Sequence, residues 1–245
     1  MATSAETPAL KGIKGIIFDY GGTLDTRGDH WSHIILEGYH HAGLQPQMQD
    51  FRDAYVHAER ELARVRHIYP EHNFRDLMRI KLRIETDYLV DNGKLSREQA
   101  DAKSDIIADY CYEYARTCVR EAVPTLERLS QRFPLVLVSN FYGNIEAVLA
   151  DFGLLRFFPT IIESAVVGVR KPDPRIFALG VEAIGLPAGE VLVVGDSIRK
   201  DILPAQSLGC ATAWVMGRGW EATEETAPEG CIAINHVKEL DSLIK

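Results

Sequence analysis

The sequence lacks the features that define several large classes of protein. Its four cysteines include no C-x-x-C pair, so neither a disulfide scaffold nor a zinc finger is predicted, and we expect buried, reduced thiols. No apolar run reaches the length of a membrane span, and no cationic start followed by an apolar stretch resembles a targeting segment. We therefore expect no membrane partner and a cytoplasmic location.

Positive charge is also scarce. The 27 lysines and arginines are outnumbered by 35 aspartates and glutamates, which leaves a formal net charge of -8. This balance argues against general affinity for nucleic acid, although a local basic patch could still bind a small anion. The eight histidines include no H-x-x-x-H pair, so no transition-metal site is predicted.

Short apolar runs recur along the chain and predict its core. They occupy residues 13–18, 135–138, 160–162, 191–194, 211–215 and 232–234. Helical patterns lie between most of them. Fully apolar strands that alternate with helices are typical of a parallel sheet covered on both faces, because such strands have no solvent-facing side. The predicted fold class is α/β, with a Rossmann-like, doubly wound core.

One long interval contains no predicted strand. From residue 26 to about residue 118, the apolar residues repeat at helical spacing in four segments, and four helices can bury such faces against one another. We therefore predict a four-helix cap at 26–118, inserted between core segments 1–25 and 119–245. Hinges are expected near Thr26 and Pro124.

Polar residues follow the ends of several predicted strands. In a doubly wound sheet these ends open onto one rim, where ligands bind. Three aspartates there would repel one another unless a hard cation with oxygen ligands joined them, which predicts Mg2+. The acidic residues are Asp19, Asp196 and Asp201. The other polar groups donate hydrogen bonds or positive charge, as a phosphate group requires: Thr23, Ser139, Asn140 and Lys171.

Taken in order, these segments resemble the four motifs of the haloacid dehalogenase superfamily. The corresponding residues are Asp19 to Thr23, Ser139-Asn140, Lys171 with the following Pro-Asp-Pro, and Gly195-Asp196 with Asp201. Each motif alone is common, but four at strand ends, spaced 120, 32 and 25 residues apart, are hard to obtain by chance. The helical insertion after the first motif resembles a type C1 cap, so the resemblance covers nearly the whole chain.

The resemblance implies Mg2+-dependent hydrolysis of a small phosphorylated metabolite through an aspartyl-phosphate intermediate. Asp19 would be the nucleophile, and Lys171 would neutralise both Asp19 and the developing phosphoryl charge. Thr23 and Ser139 would bind the phosphoryl oxygens. The residues implied to hold Mg2+ are Asp19, Asp196, Gly21 through its backbone carbonyl, and Asp201 directly or through water.

The first motif departs from the family pattern at Gly21. Active phosphatases of the family usually have a second aspartate there, which protonates the leaving group and then activates water, help worth roughly two to four powers of ten in rate. Three interpretations remain open. The substrate has a leaving group that departs unprotonated, or a residue at the cap junction replaces the aspartate, or the chain binds a phosphorylated metabolite and turns it over poorly. The candidate replacements are Asp25, Asp29 and His30.

A 2-haloacid dehalogenase-type hydrolase is the alternative enzyme. That activity also uses an aspartate nucleophile without a second aspartate, which would suit Gly21. However, dehalogenases of the family need no metal and lack the Gly195-Asp196 pair present here. Their first motif resembles Asp-x-Tyr-Gly-Thr, and Tyr20 is displaced from that tyrosine by one position. The phosphatase interpretation is therefore preferred.

Overall fold

The computed structural model describes residues 10–221 and 225–244. Its centre is a parallel sheet. The strands are β1 (Gly15–Phe18), β2 (Leu135–Ser139), β3 (Thr160–Glu163), β4 (Val191–Gly195), β5 (Ala211–Val215) and β6 (Cys231–Ile234), in the order β3-β2-β1-β4-β5-β6.

Helices cover the sheet and form the cap. The α-helices are α1 (Trp31–His41), α2 (Met48–Arg64), α3 (Phe74–Asp91), α4 (Arg97–Ser130), α5 (Ile145–Asp151), α6 (Ser164–Val167), α7 (Arg175–Ile184), α8 (Leu203–Ser207) and α9 (Leu240–Leu243). Short 3-10 helices lie at Leu155–Phe157, Ala188–Glu190 and Val237–Glu239, and a π-helix at Ile198–Ile202 precedes α8.

The sheet confirms the predicted doubly wound core. All six apolar runs form strands, and every neighbouring pair is parallel. Strands β1, β2 and β4 are buried along their whole length, which explains why their sequences show no polar alternation. Because the chain extends the sheet in opposite directions from β1 and from β4, the carboxyl ends of these strands meet at the topological switch point.

Alternate residues of β1 pack into different apolar clusters. Ile17 joins a cluster with Phe177 of α7, whereas Ile16 and Phe18 join a larger cluster that includes Leu126 of α4. This division follows from the period of two in a strand. The larger cluster continues into helices α1 to α4, so one apolar core supports both the sheet and the cap.

Helix α4 differs from the expected organisation at the second cap junction. It runs for 34 residues from the cap into the core and passes through Pro124. The predicted boundary at residue 118 and the predicted hinge near Pro124 therefore lie inside a helix and not in a loop. The apolar face of the helix is continuous there, because Cys118, Val119 and Ala122 are all buried.

The helices and the cysteines can also be compared with the expectations from the sequence. Within residues 10–221 and 225–244, no helix combines the length and the apolarity needed to cross a membrane. The four cysteines are free thiols, as expected, and three of them are buried; Cys231 is partly exposed.

The chain enters the cap at a close crossing of two glycines. Gly28 has a φ of 94°, and a Cβ atom there would lie 2.5 Å from the carbonyl oxygen of Met216. Gly217 approaches from the other side, where a Cβ would lie 2.1 Å from the carbonyl carbon of Gly28. Neither position has room for a side chain. Gly217 belongs to the loop after β5, residues 216–221, which we call the strap.

A methyl group at residue 217 is expected to destabilise the protein. The obstructing atoms are backbone atoms, which cannot rotate away, so we expect Gly217→Ala to lower the free energy of unfolding by about 1–3 kcal/mol. Gly219→Ala is the control, because its Cβ would come no closer than 3.5 Å to a neighbour. Urea unfolding measures the difference. Equal stability of the two variants would show that the crossing imposes no constraint.

Candidate active site

A cavity of about 650 Å3 lies at the carboxyl end of the sheet, between the core and the cap. Its position at the switch point is the usual ligand site of a doubly wound sheet. Core residues on its floor include Asp19, Gly21, Ser139, Asn140, Lys171, Asp196 and Asp201. Side chains of the cap and the strap form other walls, among them His30, Trp31, Tyr55, Glu59, Lys81 and Trp220.

Asp19 is the centre of a buried polar cluster. Its Oδ1 accepts hydrogen bonds from Ser139 Oγ at 2.9 Å and from the backbone N–H of Tyr20 at 2.7 Å. The Nζ atom of Lys171 lies 2.8 Å from the same oxygen. Among the described residues, none donates a hydrogen bond to Oδ2 of Asp19. One carboxylate oxygen is therefore held in place, while the other accepts no hydrogen bond from these residues.

Asn140 positions the lysine. Its Nδ2 donates to the carbonyl of Lys171 at 3.1 Å, and its Oδ1 accepts from the N–H of Lys171 at 2.9 Å. Both ends of the amide are thus engaged with one backbone segment. The observed function of Asn140 is to hold Lys171 beside Asp19, and direct contact of Asn140 with a phosphate remains a prediction.

Two further carboxylates complete the cluster. Asp196 follows β4 and accepts a hydrogen bond from Thr23 Oγ1 at 3.1 Å. Asp201 lies in the π-helix, and its Oδ1 is 2.6 Å from Nζ of Lys171. One oxygen from each of the three aspartates lies within 4.8 Å of the other two. The structure therefore brings together the three carboxylates that the sequence placed on one rim.

Two glycines make this close approach possible. Gly22 has a φ of 94°, and a Cβ there would lie 2.4 Å from the carboxyl group of Asp196. A Cβ on Gly195 would lie 2.4 Å from Cβ of Asp201. Larger residues at either position would push a carboxylate out of the cluster. The motif glycines are thus required by the packing of the acidic residues.

Repulsion within the cluster is only partly offset. Burial, together with Asp201 and Asp19, raises the pKa of Asp196 well above its usual value. Burial also raises the pKa of Asp201 to about 6, although Lys171 opposes this shift. Burial would lower the pKa of Lys171, but Asp19 and Asp201 outweigh it and raise that pKa. One ammonium group among three carboxylates leaves negative charge that a hard divalent cation would neutralise.

The donor set fits Mg2+. Oδ1 of Asp201 is buried and accepts no hydrogen bond of normal geometry from the described residues, although Nζ of Lys171 lies 2.6 Å away. No backbone N–H of the described residues donates to the carbonyl of Gly21, which belongs to a residue on the cavity floor. Carboxylate and carbonyl oxygens are the ligands that Mg2+ prefers. Asp19, Asp196, Asp201 and the carbonyl of Gly21 could therefore hold this ion.

Thr23 is placed differently from the other predicted site residues. Its hydroxyl donates to Asp196, and the residue lines a separate space of about 10 Å3 beside Cys118 instead of the large cavity. The side chain is 2% exposed. In this arrangement Thr23 orients a carboxylate of the acidic cluster, and its contact with phosphoryl oxygens stays a prediction.

Of the three candidate replacements for the missing aspartate, only His30 lines the cavity. The carboxylate of Asp25 is fully buried, accepts the indole N–H of Trp31 at 3.1 Å, and has a pKa that burial raises to about 8. Asp29 forms an ion pair with Arg218 of the strap at 2.6 Å. Asp25 and Asp29 are therefore committed to joining the cap to the core.

Sequence reasoning missed an ion pair in the cap wall. Nζ of Lys81, on α3, pairs with Glu59 of α2 and lies 4.3 Å from the ring centre of Tyr55. Glu59 also accepts a hydrogen bond from the phenol of Tyr142, which follows β2, at 3.3 Å. The available signal was the position of Lys81, four residues after buried Leu77 on the same helix face, where periodicity predicts an apolar residue.

Comparison with known proteins agrees with this geometry. The family model for haloacid dehalogenase-like hydrolases matches residues 13–209. The 5-amino-6-(5-phospho-D-ribitylamino)uracil phosphatase YigB of Escherichia coli strain K12 is 28% identical over 214 residues, which cover 83% of each chain. The haloacid dehalogenase-like hydrolase domain-containing protein 3 of Danio rerio is 45% identical, but over 73 residues that cover only 30% of each chain.

A solved structure shares the fold. A crystal structure described as a dehalogenase superposes with a TM-score of 0.63 at 18% identity, covering 96% of this chain and 98% of that one. At this identity the likeness concerns the fold alone and carries no statement about the reaction.

Replacing Asp196 is expected to weaken Mg2+ binding. Asp196→Ala removes one carboxylate of the acidic cluster, so we expect Mg2+ affinity to fall by at least about tenfold in calorimetric titration. Asp173→Ala is the matched control, because Asp173 pairs with Arg175 and is not one of the clustered carboxylates. Unchanged Mg2+ affinity in Asp196→Ala would remove Asp196 from the metal site.

Mg2+ binding is also expected to depend on pH. Burial and neighbouring carboxylates raise the pKa of Asp196, and burial raises that of Asp201 to about 6, so protons compete increasingly with the cation as the pH falls through about 6. We therefore expect the apparent affinity to fall by at least about tenfold between about pH 7.5 and about pH 5.5. Titrations in buffers of different ionisation enthalpy should show proton release. The same affinity at both pH values would contradict this charge assignment.

Proposed function

The chain belongs to the haloacid dehalogenase-like hydrolases, and from this premise we propose that it is a Mg2+-dependent phosphatase of a small phosphorylated metabolite, working through an aspartyl phosphate. One observation carries the proposal. Buried Asp19 is bound on one oxygen by Lys171 and Ser139, beside two further carboxylates, on the floor of the cavity. This arrangement combines a positioned nucleophile with groups that balance phosphoryl charge.

The reaction proceeds in two displacements at phosphorus. In the first, Oδ2 of Asp19 attacks, the bond from phosphorus to the leaving oxygen breaks, and its electron pair stays on that oxygen. In the second, water attacks phosphorus and the bond to Asp19 breaks, which restores the carboxylate. Lys171, 2.8 Å from Oδ1, offsets negative charge that builds up in both transition states.

The acidic cluster is the proposed binding site for Mg2+. Asp19, Asp196, Asp201 and the carbonyl of Gly21 would hold the ion. When bound, Mg2+ supplies a Lewis acid that polarises phosphoryl oxygens and balances their charge. Thr23 keeps Asp196 turned toward the cluster through its hydrogen bond at 3.1 Å.

The same cluster favours phosphoryl transfer over dehalogenation. Attack on the carbon of a haloacid brings no phosphoryl charge to the cavity floor, so the additional carboxylates of Asp196 and Asp201 would have no evident use. A phosphoryl group, in contrast, is bound well by carboxylates joined through a cation together with an ammonium group. The Escherichia coli relative, a phosphatase that matches 83% of this chain, supports the same choice.

The cavity suits a small metabolite as substrate. A volume of about 650 Å3 lies within the range of small-molecule sites. Aromatic rings of Trp31 and Trp220 and the charged pair of Glu59 and Lys81 line the walls. Such walls offer the leaving group both apolar contact and hydrogen bonds.

Asp19→Asn should abolish turnover and leave the fold intact. The amide is a poor nucleophile of similar shape, so we expect phosphate release from acetyl phosphate and from glucose 6-phosphate to fall by at least about three powers of ten. Circular dichroism and the unfolding midpoint serve as controls for folding. Mass spectrometry of the wild type during turnover should detect phosphate on Asp19. Equal activity of the variant would refute the covalent mechanism.

A further inference from the structure

We propose that His30 protonates the leaving group and then activates water, in place of the aspartate that is absent at position 21. This inference rests on the proposed phosphatase function. It begins from the empty space at Gly21, where a Cβ would meet no atom within 4 Å. The usual acid is therefore missing although the site has room for it. A leaving group that needs a proton would have to take it from another wall of the cavity.

The other titratable side chains of the cap wall are already engaged. Lys81 and Glu59 form an ion pair, and Glu59 is bound by Tyr142 as well. The ring of Tyr55 packs under the Lys81 ammonium. Within the part of the chain that the structure describes, His30 is the side chain of this wall with a free nitrogen that can both give and take a proton.

His30 is held in one orientation. It precedes α1 as the N-cap residue, and its Nδ1 accepts the backbone N–H of Ser32 at 3.2 Å and lies 2.9 Å from Ser32 Oγ. Its ring contacts Trp220 at 5.2 Å and Tyr55 at 5.7 Å between ring centres. Nε2 makes no hydrogen bond to any residue in 10–221 or 225–244. The reactive nitrogen is thus the one left for a ligand in the cavity.

The charges around His30 link its protonation to substrate binding. Burial, with Lys200 and Lys81, lowers the pKa of His30 to about 4; Glu59 opposes this shift, and His33 adds to it. The ring is therefore neutral in the free protein. A phosphate dianion entering the cavity counters the two lysines and favours the imidazolium. When Nδ1 carries a proton it donates to Ser32 Oγ, 2.9 Å away, and gives up the bond from the Ser32 backbone N–H, so that Nε2 can give and take the second proton.

The proton balance closes over the two displacements. In the first, the leaving oxygen keeps the electron pair of the broken bond to phosphorus and takes the proton from Nε2, so the alcohol departs and His30 becomes neutral. In the second, the attacking water gives one proton to Nε2, its oxygen bonds to phosphorus, and the bond to Asp19 breaks. Inorganic phosphate is released, and the Asp19 carboxylate and the His30 imidazolium are regenerated.

The test is the dependence of rate on the leaving group. His30→Asn keeps a good N-cap residue, so α1 should remain folded. With Mg2+ present, we expect kcat/KM for phenyl and alkyl phosphates to fall by about 100-fold or more, because their leaving groups need the proton. Dinitrophenyl phosphate, whose leaving group departs unprotonated, should lose less than about threefold. His57→Gln is the matched control, since His57 is exposed and stacks on Tyr88 outside the cavity.

A second variant tests the same idea through rescue. Gly21→Asp places a carboxylic acid in the open space. It should raise the rate for phenyl phosphate by a larger factor in His30→Asn than in the wild type, because the aspartic acid and His30 would supply the same proton. Equal factors in both backgrounds would overturn the proposal. So would a loss in His30→Asn that is uniform across the leaving groups, or no loss at all.

The outcomes separate this inference from the proposed function. If the wild type hydrolyses dinitrophenyl phosphate and Asp19→Asn does not, the phosphatase function stands, and the behaviour of His30→Asn alone decides the present proposal. If the wild type releases no phosphate from any member of the series, the proposed function fails and the assignment of His30 falls with it.

Discussion

The structure depends on one buried ammonium group. Nζ of Lys171 lies 2.8 Å from Asp19 and 2.6 Å from Asp201, and its charge offsets part of the repulsion among three carboxylates at the carboxyl end of the sheet. Breaking a buried ion pair by removing one partner typically costs about 3–5 kcal/mol, so the stability of each of these charges depends on the presence of the others. Asn140 holds the lysine backbone, and Gly22 and Gly195 leave space for the carboxylates. The motif residues therefore form one interdependent unit.

The cap is joined to this unit by short-range contacts. Gly28 and Gly217 cross with no room for side chains, Asp29 binds Arg218 of the strap, and Glu59 binds Tyr142 across the cavity. Helix α4 continues unbroken from the cap into the core. These contacts come from distant parts of the chain and place charged and aromatic side chains of the cap in the wall of the cavity that Asp19 also lines. The cap wall of the cavity is thus set by how the cap is attached.

Because position 21 is a glycine, the core offers no carboxylic acid there, and the side chains of the cap wall become important for the chemistry. A side chain there would find open space, so its absence is not imposed by packing. Asp25 is nevertheless used to bind Trp31, and Asp29 to bind the strap. Among the three candidate replacements at the junction, His30 alone lines the cavity. A function that the family pattern assigns to the core is therefore available here to the cap.

The sequence by itself determined the parallel sheet, because fully buried strands must be apolar throughout, and it determined which polar residues meet at the rim, because the carboxyl ends of parallel strands share one edge. It also determined that the insertion is helical. Tertiary structure alone decided that Thr23 turns toward Asp196, that α4 passes through Pro124, and that Lys81 faces the cavity. These features depend on contacts between residues far apart in sequence, and the local periodicity of a sequence does not predict such contacts.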